Sequence, residues 1–260
     1  MKNERRKRIR ETIDTNGEIT LLELQDIFPS CSAMTLRRDL IALEEEGAIK
    51  RTRGGAIALK RMMESEGLYN QRAAENMAGK MEIARYCADL LGADMSLYLD
   101  SGTTMMCLAK QLLDSYRSVI TNGVNISMEL VKRPNFSVTL LGGQMDSNTL
   151  STSGQVTQTM MNSFNIETAV MSGSGFDMEN GFSNTTFSEC ELKRMVIRKA
   201  SKVIMLIDRH KFGRIMPLTF ASLEDIDILI SDHRPDDSLL ARCMDMGVKY
   251  IYTRADMIDA

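Results

Sequence analysis

Two consecutive arginines stand near the start of an amphipathic stretch, Thr35-Leu36-Arg37-Arg38-Asp39-Leu40. Its leucines recur at helical spacing with Leu43, so they predict one buried face of a helix and leave Arg37 and Arg38 turned outward. A guanidinium group donates two hydrogen bonds together to O6 and N7 of guanine, which suits it to reading bases in the major groove of DNA. The alternative interpretation is a solvated helix face on which Asp39 is a local partner of the arginines.

A second basic cluster, Lys50-Arg51-Thr52-Arg53-Gly54-Gly55, follows closely, and no acidic residue occurs between Gly47 and Met63. Strand-like residues on both sides of the glycine pair predict a hairpin with a two-residue turn. Beside a DNA-reading helix, a basic hairpin tip reaches flanking phosphates or the minor groove. An ordinary polar hairpin is the alternative. Together the two clusters supply the candidate DNA-binding residues, of which the first two are expected to hold phosphates: Ser32, Thr35, Arg37, Arg38, Lys50, Arg51 and Arg53.

Three short helices are predicted to position these clusters. Residues 4–14 carry apolar residues at helical spacing, and Thr20-Leu21-Leu22-Glu23 has the form of a capping box that opens a second helix. Ser32 is a suitable N-cap for the third helix, which runs to about Glu46. Three helices followed by a hairpin predict a winged helix-turn-helix at residues 1–58.

The remainder of the chain alternates short apolar segments with amphipathic ones. Strands are predicted at 95–99, 118–121, 137–141, 168–172, 202–207, 227–231 and 248–252. Helices are predicted near 80–91, 124–132, 154–163, 186–200 and 237–246, with a further helix after residue 104. This alternation predicts an α/β domain with a mostly parallel sheet at residues 79–260. The polar residues 59–78 are interpreted as a connector between the two domains.

The loop Asp100-Ser101-Gly102-Thr103-Thr104 directly follows one predicted strand and opens a helix. Its glycine lets a ligand approach the backbone, its hydroxyls donate hydrogen bonds, and the helix N-terminus adds free N–H groups, so the loop suits a phosphate. A turn that merely caps the helix is the alternative. Similar loops, Thr121-Asn122-Gly123, Gly142-Gly143 and Gly173-Ser174-Gly175, follow other strands. In open α/β sheets, ligands bind at such strand ends.

A basic loop, Asp208-Arg209-His210-Lys211-Phe212-Gly213, stands at a further strand end. Lys211 is suited to neutralise a phosphate and Asp208 to bind a sugar hydroxyl, while a surface ion pair beside a core Phe212 is the alternative. Lys193, on the 186–200 helix, is a further candidate. The candidate effector-binding residues are Asp100, Ser101, Gly102, Thr103, Thr104, Thr121, Asn122, Gly142, Gly143, Lys193, Asp208 and Lys211.

The composition limits the classes of function. The 260 residues carry 32 Lys and Arg against 35 Asp and Glu, a net charge of −3, which excludes a histone-like protein that binds nucleic acid by bulk charge. The charge is uneven, since residues 1–60 hold 12 basic and 10 acidic side chains. Five widely spaced cysteines and two histidines argue against a structural metal site, so no metal and no cofactor are expected. The lack of a long apolar run or a secretory signal predicts a cytoplasmic protein without a membrane partner.

The ordered set of motifs resembles the DeoR family of bacterial transcriptional regulators. The resemblance in the N-terminal part rests on Thr35-Leu36-Arg37-Arg38-Asp39-Leu40, Leu43-Glu44-Glu45-Glu46-Gly47 and Arg51-Thr52-Arg53-Gly54-Gly55-Ala56. In the C-terminal part it rests on Lys80-Met81-Glu82-Ile83-Ala84, Asp100-Ser101-Gly102-Thr103-Thr104, Thr121-Asn122, Leu141-Gly142-Gly143, Asp208 with Lys211-Phe212-Gly213, and Ser231-Asp232. The resemblance implies a sensor domain with a fold similar to ribose-5-phosphate isomerase and CoA-transferases. It also implies phosphorylated sugars or related metabolites as effectors.

These observations predict a DNA-binding repressor of a carbohydrate-catabolism operon, released by a phosphorylated sugar and acting as a homo-oligomer, either dimer or tetramer. A sugar-phosphate isomerase-like enzyme with a regulatory DNA-binding head is one alternative. Its candidate acids and bases are Asp177, Glu179, Glu189 and Lys193, but nothing in the sequence pairs them in a catalytic geometry. A DNA-binding protein whose C-terminal domain serves only for oligomerisation is the other alternative.

Overall fold

A computed structural model of the chain describes residues 2–16, 18–29, 31–46, 48–51, 54–58, 69–92, 96–115 and 117–253. The chain forms two compact units, Met1–Asn70 and Gln71–Ala260, and each is described by itself. The first half of the predicted connector, residues 59–68, lies outside the described residues, and residues 69–74 are helical.

The N-terminal unit is a helix-turn-helix with a small antiparallel sheet. Its elements are α1 (Lys2–Asn16), β1 (Glu18–Thr20), α2 (Leu21–Ile27), α3 (Ala33–Glu45), β2 (Ile49–Arg51) and β3 (Gly55–Ala58). The predicted capping box is confirmed, since the Thr20 hydroxyl accepts from the Glu23 amide and the Glu23 carboxylate accepts from the Thr20 amide. Fully or nearly fully buried aliphatic side chains form the core, among them Ile9, Ile13, Leu24, Leu36, Leu40 and Leu43.

Strand β1 was not predicted, and it turns the hairpin into a three-stranded sheet of order β1-β3-β2. Three residues are too few for a strand to show an alternating pattern. Gly55 is the residue that reflects the presence of β1, because a Cβ atom at this position would lie 1.9 Å from the carbonyl oxygen of Ile19. The second glycine of the hairpin is therefore required by the neighbouring strand, not by the turn.

The C-terminal unit is a three-layer α/β domain. Its strands are β4 (Ser96–Leu99), β5 (Arg117–Thr121), β6 (Phe136–Leu140), β7 (Gln144–Asp146), β8 (Ser151–Ser153), β9 (Ile166–Met171), β10 (Gly175–Asp177), β11 (Gly181–Asn184), β12 (Ala200–Leu206), β13 (Leu218–Ala221), β14 (Ile228–Ser231) and β15 (Lys249–Tyr252). Its helices are α4 (Met77–Leu90), α5 (Thr103–Gln111), α6 (Val124–Leu130), α7 (Gln155–Met161), α8 (Phe187–Lys199) and α9 (Asp237–Asp245).

Seven of these strands form a sheet of order β15-β14-β12-β9-β4-β5-β6, and every neighbouring pair in it is parallel. Side chains alternate between its faces. Leu97 and Leu99 join the core beneath α4, α5 and α6, whereas Tyr98 joins the core beneath α7, α8 and α9. The predicted fold class, a helix-turn-helix domain followed by an α/β domain with a parallel sheet, is confirmed.

Five short strands outside the main sheet were not predicted. Strands β10, β11 and β13 form a second antiparallel sheet, and β7 pairs with β8. Each has only three or four residues, so periodicity does not reveal them. Within the described residues, no helix has the length and apolar character needed to cross a membrane.

Candidate DNA-binding and effector-binding sites

Helix α3 presents the two predicted arginines to solvent. Arg37 and Arg38 are exposed, while Leu36 on the opposite face is fully buried. Ser32 is the N-cap of the helix, and its hydroxyl accepts from the Thr35 amide at 3.3 Å and lies 2.9 Å from the Thr35 hydroxyl. These two hydroxyls therefore order the start of the helix, and their role as phosphate contacts stays a prediction.

Asp39 is not a local partner of the two arginines, so that part of the alternative interpretation is wrong, while a solvated helix face stays an alternative. Its carboxylate is buried and accepts from Nε of Arg5 at 2.6 Å and from Nε of Arg6 at 3.0 Å. Both donors lie on α1, more than 30 residues earlier in the chain. The ion pairs join α1 to α3, and Asp39 does not neutralise the outward charge of Arg37 and Arg38.

The hairpin is held against the same helix by an ion pair. Arg51 is half-exposed, and its Nε lies 2.6 Å from Oε2 of Glu44, while its backbone amide donates to Oε1 of Glu44 at 3.1 Å. Lys50 stands beside it in β2, and Arg53 lies outside the described residues. Arg51 thus fixes the position of the hairpin as well as carrying charge.

The candidate effector loops meet at one edge of the main sheet. Because β4, β5, β6 and β12 run parallel, residues 100–104, 121–122, 142–143 and 208–211 all follow strands that end at this edge. Within the described residues, however, the candidate side chains of these four loops do not all contact one another. The loops at 100–104 and 208–211 both reach Ser172, whose amide donates to Asp100 Oδ2 at 3.1 Å and whose hydroxyl accepts from Lys211 Nζ at 3.5 Å. The other two loops form hydrogen bonds mainly within the protein.

Asp100 and Lys193 form a buried ion pair at the end of β4. Their side chains are 1% and 3% exposed, and the Lys193 ammonium also donates to the Ser172 carbonyl at 3.0 Å. Burial by itself disfavours the charged ammonium, but the carboxylates of Asp100 and Glu189 outweigh it and raise the pKa of Lys193. Both predicted residues are therefore at the site, bound to each other.

Lys211 is a second cation at this edge, with a partly buried side chain that is 21% exposed. Its ammonium donates to the Gly173 carbonyl at 2.7 Å and lies 3.8 Å from a carboxylate oxygen of Asp208. Burial lowers the pKa of Lys211 to about 8, and the positive charges of Lys80, Arg72 and Lys193 act in the same direction, against the opposing effect of Asp208. An anionic ligand would relieve this concentration of positive charge.

Lys80 and Arg72 belong to this electrostatic cluster but were not among the predicted site residues. Lys80 is only 3% exposed in α4. It lies on the face of α4 that carries the buried Ile83, Ala84 and Cys87, at helical spacings from each of them. A lysine on the apolar stripe of a helix is the signal that sequence reasoning missed.

The loop after β4 leaves space for a ligand. Gly102 is the N-cap of α5 with φ of 114° and without a side-chain cap, and a Cβ there would meet no described atom within 4 Å. Two buried polar atoms beside it, Oδ1 of Asp100 and Oγ1 of Thr104, have no hydrogen-bond partner among the described residues. Ser101 is also buried, whereas Thr103 is partly exposed.

The remaining candidate residues bond within the protein. Asn122 accepts from the Tyr98 hydroxyl at 3.1 Å and donates to the Thr152 carbonyl at 3.1 Å, and Thr121 Oγ1 accepts from the Gly123 amide. The carbonyl of Gly142 accepts from Thr157 at 2.7 Å. A Cβ on Gly143 would lie 2.1 Å from Thr157 Oγ1, so close packing requires that glycine.

The C-terminal unit also contains a cavity of about 320 Å³. Its lining residues are Phe176, Asp177, Met178, Phe212, Gly213, His233, Asp236 and Leu239. The Phe212 and His233 rings stack there with centroids 4.0 Å apart. Among the described residues, none of the candidate effector residues lines this cavity. The positive charge that suits an anion therefore lies around Lys211 and not in this cavity.

The acids and bases of the enzyme alternative have structural roles. Asp177 Oδ1 accepts from the amides of Glu179 and Asn180 in its own turn, and hydrogen bonds from Asn180 and Glu179 lower the pKa of Asp177. Lys193 is bound to Asp100. Burial raises the pKa of Glu189 despite the opposing charge of Lys193, and that side chain lies 3.8 Å from the lysine.

Comparisons with known proteins agree with both halves of the chain. The family model described as DeoR-like helix-turn-helix domain matches residues 5–62, and the one described as DeoR C terminal sensor domain matches residues 75–233. A solved ribose 5-phosphate isomerase A from Methanocaldococcus jannaschii superposes with a TM-score of 0.40 and 12% identity over 53% of this chain and 55% of that chain. That likeness is too low to say anything about function.

Full-length relatives have the same organisation. The HTH-type transcriptional regulator GolR of Listeria innocua is 35% identical over 94% of this chain and 96% of its own length. The glycerol-3-phosphate regulon repressor of Escherichia coli is 28% identical over 91% of this chain and 93% of its own length. These names confirm the prediction of a transcriptional regulator in place of an enzyme. The chain belongs to the DeoR family of transcriptional regulators.

Proposed function

We propose that this regulator is a repressor of a carbohydrate-catabolism operon and that a phosphorylated sugar bound in the C-terminal unit releases it from DNA. The observation that carries the proposal is the concentration of cations, two of them buried, at the carboxyl edge of the main sheet around Lys211. The name of the glycerol-3-phosphate regulon repressor supports a small phosphorylated metabolite as the class of effector.

The phosphate is proposed to lie between Lys211 and the N-terminus of α5. Lys211 supplies charge, Gly102 leaves room for close approach, and the first N–H groups of the helix supply hydrogen bonds. The unpartnered oxygens of Asp100 and Thr104 are suited to sugar hydroxyl groups, because buried polar atoms are normally hydrogen-bonded. Asp208 is close enough to Lys211 to receive a further hydroxyl of the same ligand.

DNA binding is proposed to use α3 and the hairpin of a symmetric homo-oligomer on repeated half-sites. Effector binding then favours an arrangement of the oligomer whose DNA-binding units fit the operator poorly, which is a shift in population between two states. Because operator DNA in a bacterium lies in the cytoplasm, we place the protein there.

Replacing Thr103 by glutamate is expected to abolish release of operator DNA by the effector. The new carboxylate would stand in the first turn of α5 and repel a phosphate there. The measurement is a thermal-shift screen of sugar phosphates followed by a gel-shift assay. A ligand at 100 times its Kd adds about 2.7 kcal/mol to the free energy of unfolding.

Thr103→Gln is the matched control, because it adds similar bulk without the charge, and it is expected to keep measurable release. A wild-type protein whose unfolding temperature responds to none of the sugar phosphates would instead favour a C-terminal unit that serves only for oligomerisation. Turnover of pentose or hexose phosphates above background would contradict the assignment as a regulator without catalysis.

Phosphate affinity is expected to fall as the pH rises above the Lys211 pKa of about 8. The bound anion stabilises the ammonium, so binding is accompanied by proton uptake and weakens by up to about tenfold per pH unit above that value. Isothermal titration calorimetry in buffers of different ionisation enthalpy measures this uptake. Lys211→Arg, whose charge does not titrate in this range, is expected to bind with little pH dependence. A steep fall that persists in this variant would assign the titration to another group.

A further inference from the structure

The turn that precedes α4 is held by side chains at the carboxyl edge of the main sheet. Residues 69–74 are helical, α4 begins at Met77, and Asn76 between them has φ of 48°. Asparagine adopts this left-handed conformation more readily than most residues with a side chain, and here contacts of its side chain hold the turn in place. One such contact is the hydrogen bond from Asn76 Nδ2 to Oδ2 of Asp232 at 2.9 Å.

Lys80 provides the second set of contacts. Its ammonium donates to the carbonyl of Arg72 and to the carbonyl of Glu75 at 2.7 Å. The Arg72 guanidinium in turn donates to the carbonyl of Asn148, in the turn between β7 and β8. The segment 71–76 is therefore attached to the edge of the domain through hydrogen bonds in which Lys80 is the central donor.

The same ammonium lies within the electrostatic reach of the anion site. Asp232 joins the two places, because its carboxylate accepts from Asn76 Nδ2 at 2.9 Å and from the backbone amide of Arg209, in the loop of Lys211, at 2.7 Å. In addition, the charge of Lys80 acts on Lys211, and the charge of Asp208 acts on Lys80. A phosphate carries nearly two negative charges, and hydrogen bonds to ionised acceptors are stronger than those to neutral carbonyls. An anion beside Lys211 therefore competes with the two carbonyls for the ammonium of Lys80.

We propose that Lys80 is a positioning residue that couples the anion site to segment 71–76. In the unliganded protein its ammonium holds the carbonyls of Arg72 and Glu75, and in the liganded protein it turns toward the phosphate and releases them. Segment 71–76 follows Asn70, the last residue of the N-terminal unit, so its loosening is the first step of the proposed route toward release of DNA. The inference rests on the proposed effector site and adds the contacts through which ligand binding at that site affects segment 71–76.

Hydrogen-deuterium exchange on the full-length protein tests this coupling, with inorganic phosphate as the probe. Phosphate is expected to slow exchange of the amides at 101–105 and to speed exchange at 71–76 by about tenfold, as befits the loss of two hydrogen bonds to a charged donor. In Lys80→Met, exchange at 71–76 is expected to be fast without phosphate and to rise no further with it. Lys80→Arg is expected to restore slow exchange in the absence of phosphate.

Lys202→Met is the matched control, because Lys202 is exposed at the beginning of β12, far along the strand from its carboxyl end. It is expected to behave as wild type in both segments. Protection at 101–105 with unchanged or slower exchange at 71–76 would overturn the coupling and leave the effector site standing. Unaltered exchange at 71–76 in Lys80→Met would also overturn it. Exchange at 101–105 that phosphate does not slow in the wild type would overturn both the effector site and the coupling.

Discussion

Replacing Lys193 by methionine is expected to lower the free energy of unfolding of the C-terminal unit by about 3–5 kcal/mol. Asp100 is 0% exposed, and the substitution leaves its carboxylate without the cation that compensates its burial. Lys193 also holds the Ser172 carbonyl, so the end of β9 loses a hydrogen bond in the same variant. Urea denaturation followed by circular dichroism measures the change.

A double variant separates lost charge from lost packing. In Asp100→Asn with Lys193→Met, the amide oxygen at position 100 is still able to accept from the Ser172 amide, a bond of 3.1 Å in the wild type, and the buried carboxylate at position 100 is gone. We expect the double variant to recover most of the lost stability, since a buried ion pair is often replaceable as a whole. A double variant as unstable as Lys193→Met would mean that the packing of the lysine stem matters, not its charge.

Removing both Arg37 and Arg38 is expected to weaken operator binding by about 2–6 kcal/mol, since each bidentate contact with guanine contributes about 1–3 kcal/mol. Both side chains are exposed, so Arg37→Ala with Arg38→Ala leaves the helical content and the unfolding temperature of the protein unchanged. Gel-shift titrations at fixed salt, on operator and on unrelated DNA, measure the loss.

The two DNAs distinguish base recognition from charge alone. Contacts to bases lower operator affinity and reduce the preference over unrelated DNA, whereas contacts to phosphate weaken binding to both and reduce the salt slope by about one per arginine. Arg198→Ala removes one arginine charge from an exposed position in the last turn of α8 and is the control for Arg37→Ala and Arg38→Ala taken singly. Unchanged operator affinity in the double variant would show that this face of α3 does not read DNA.

Local patterns predicted the elements of both units well. The capping box at Thr20 and the apolar stripe of α3 depend on residues three to seven positions apart, and both are visible in the sequence. Strands of the main sheet follow the same logic, because each is a short apolar run between helices. The strand-end loops then fall at one edge because parallel strands share their direction.

Contacts between distant residues were not predictable from such patterns. Asp39 looks like a partner of the adjacent arginines, but its true partners, Arg5 and Arg6, are brought to it only when α1 packs on α3. The pairing of Asp100 with Lys193 joins residues 93 positions apart. Sequence reasoning therefore named Asp100 and Lys193 as separate candidates for an effector site but did not show that they neutralise one another.

The order of strands in the main sheet explains why the charged residues gather where they do. From β4 the chain moves outward in one direction to β5 and β6, and it then returns to β9 and moves outward in the other direction through β12, β14 and β15. The connections that follow β4 and β9 therefore lead in opposite directions along the sheet. Such a reversal of strand order opens a crevice between the ends of the two strands, whatever the sequence of the loops. Asp100 ends β4 and Ser172 ends β9, so the backbone topology sets the place of the site. In the effector site proposed above, the loops would then decide only which anion is accepted, so a change of effector would need no change of fold.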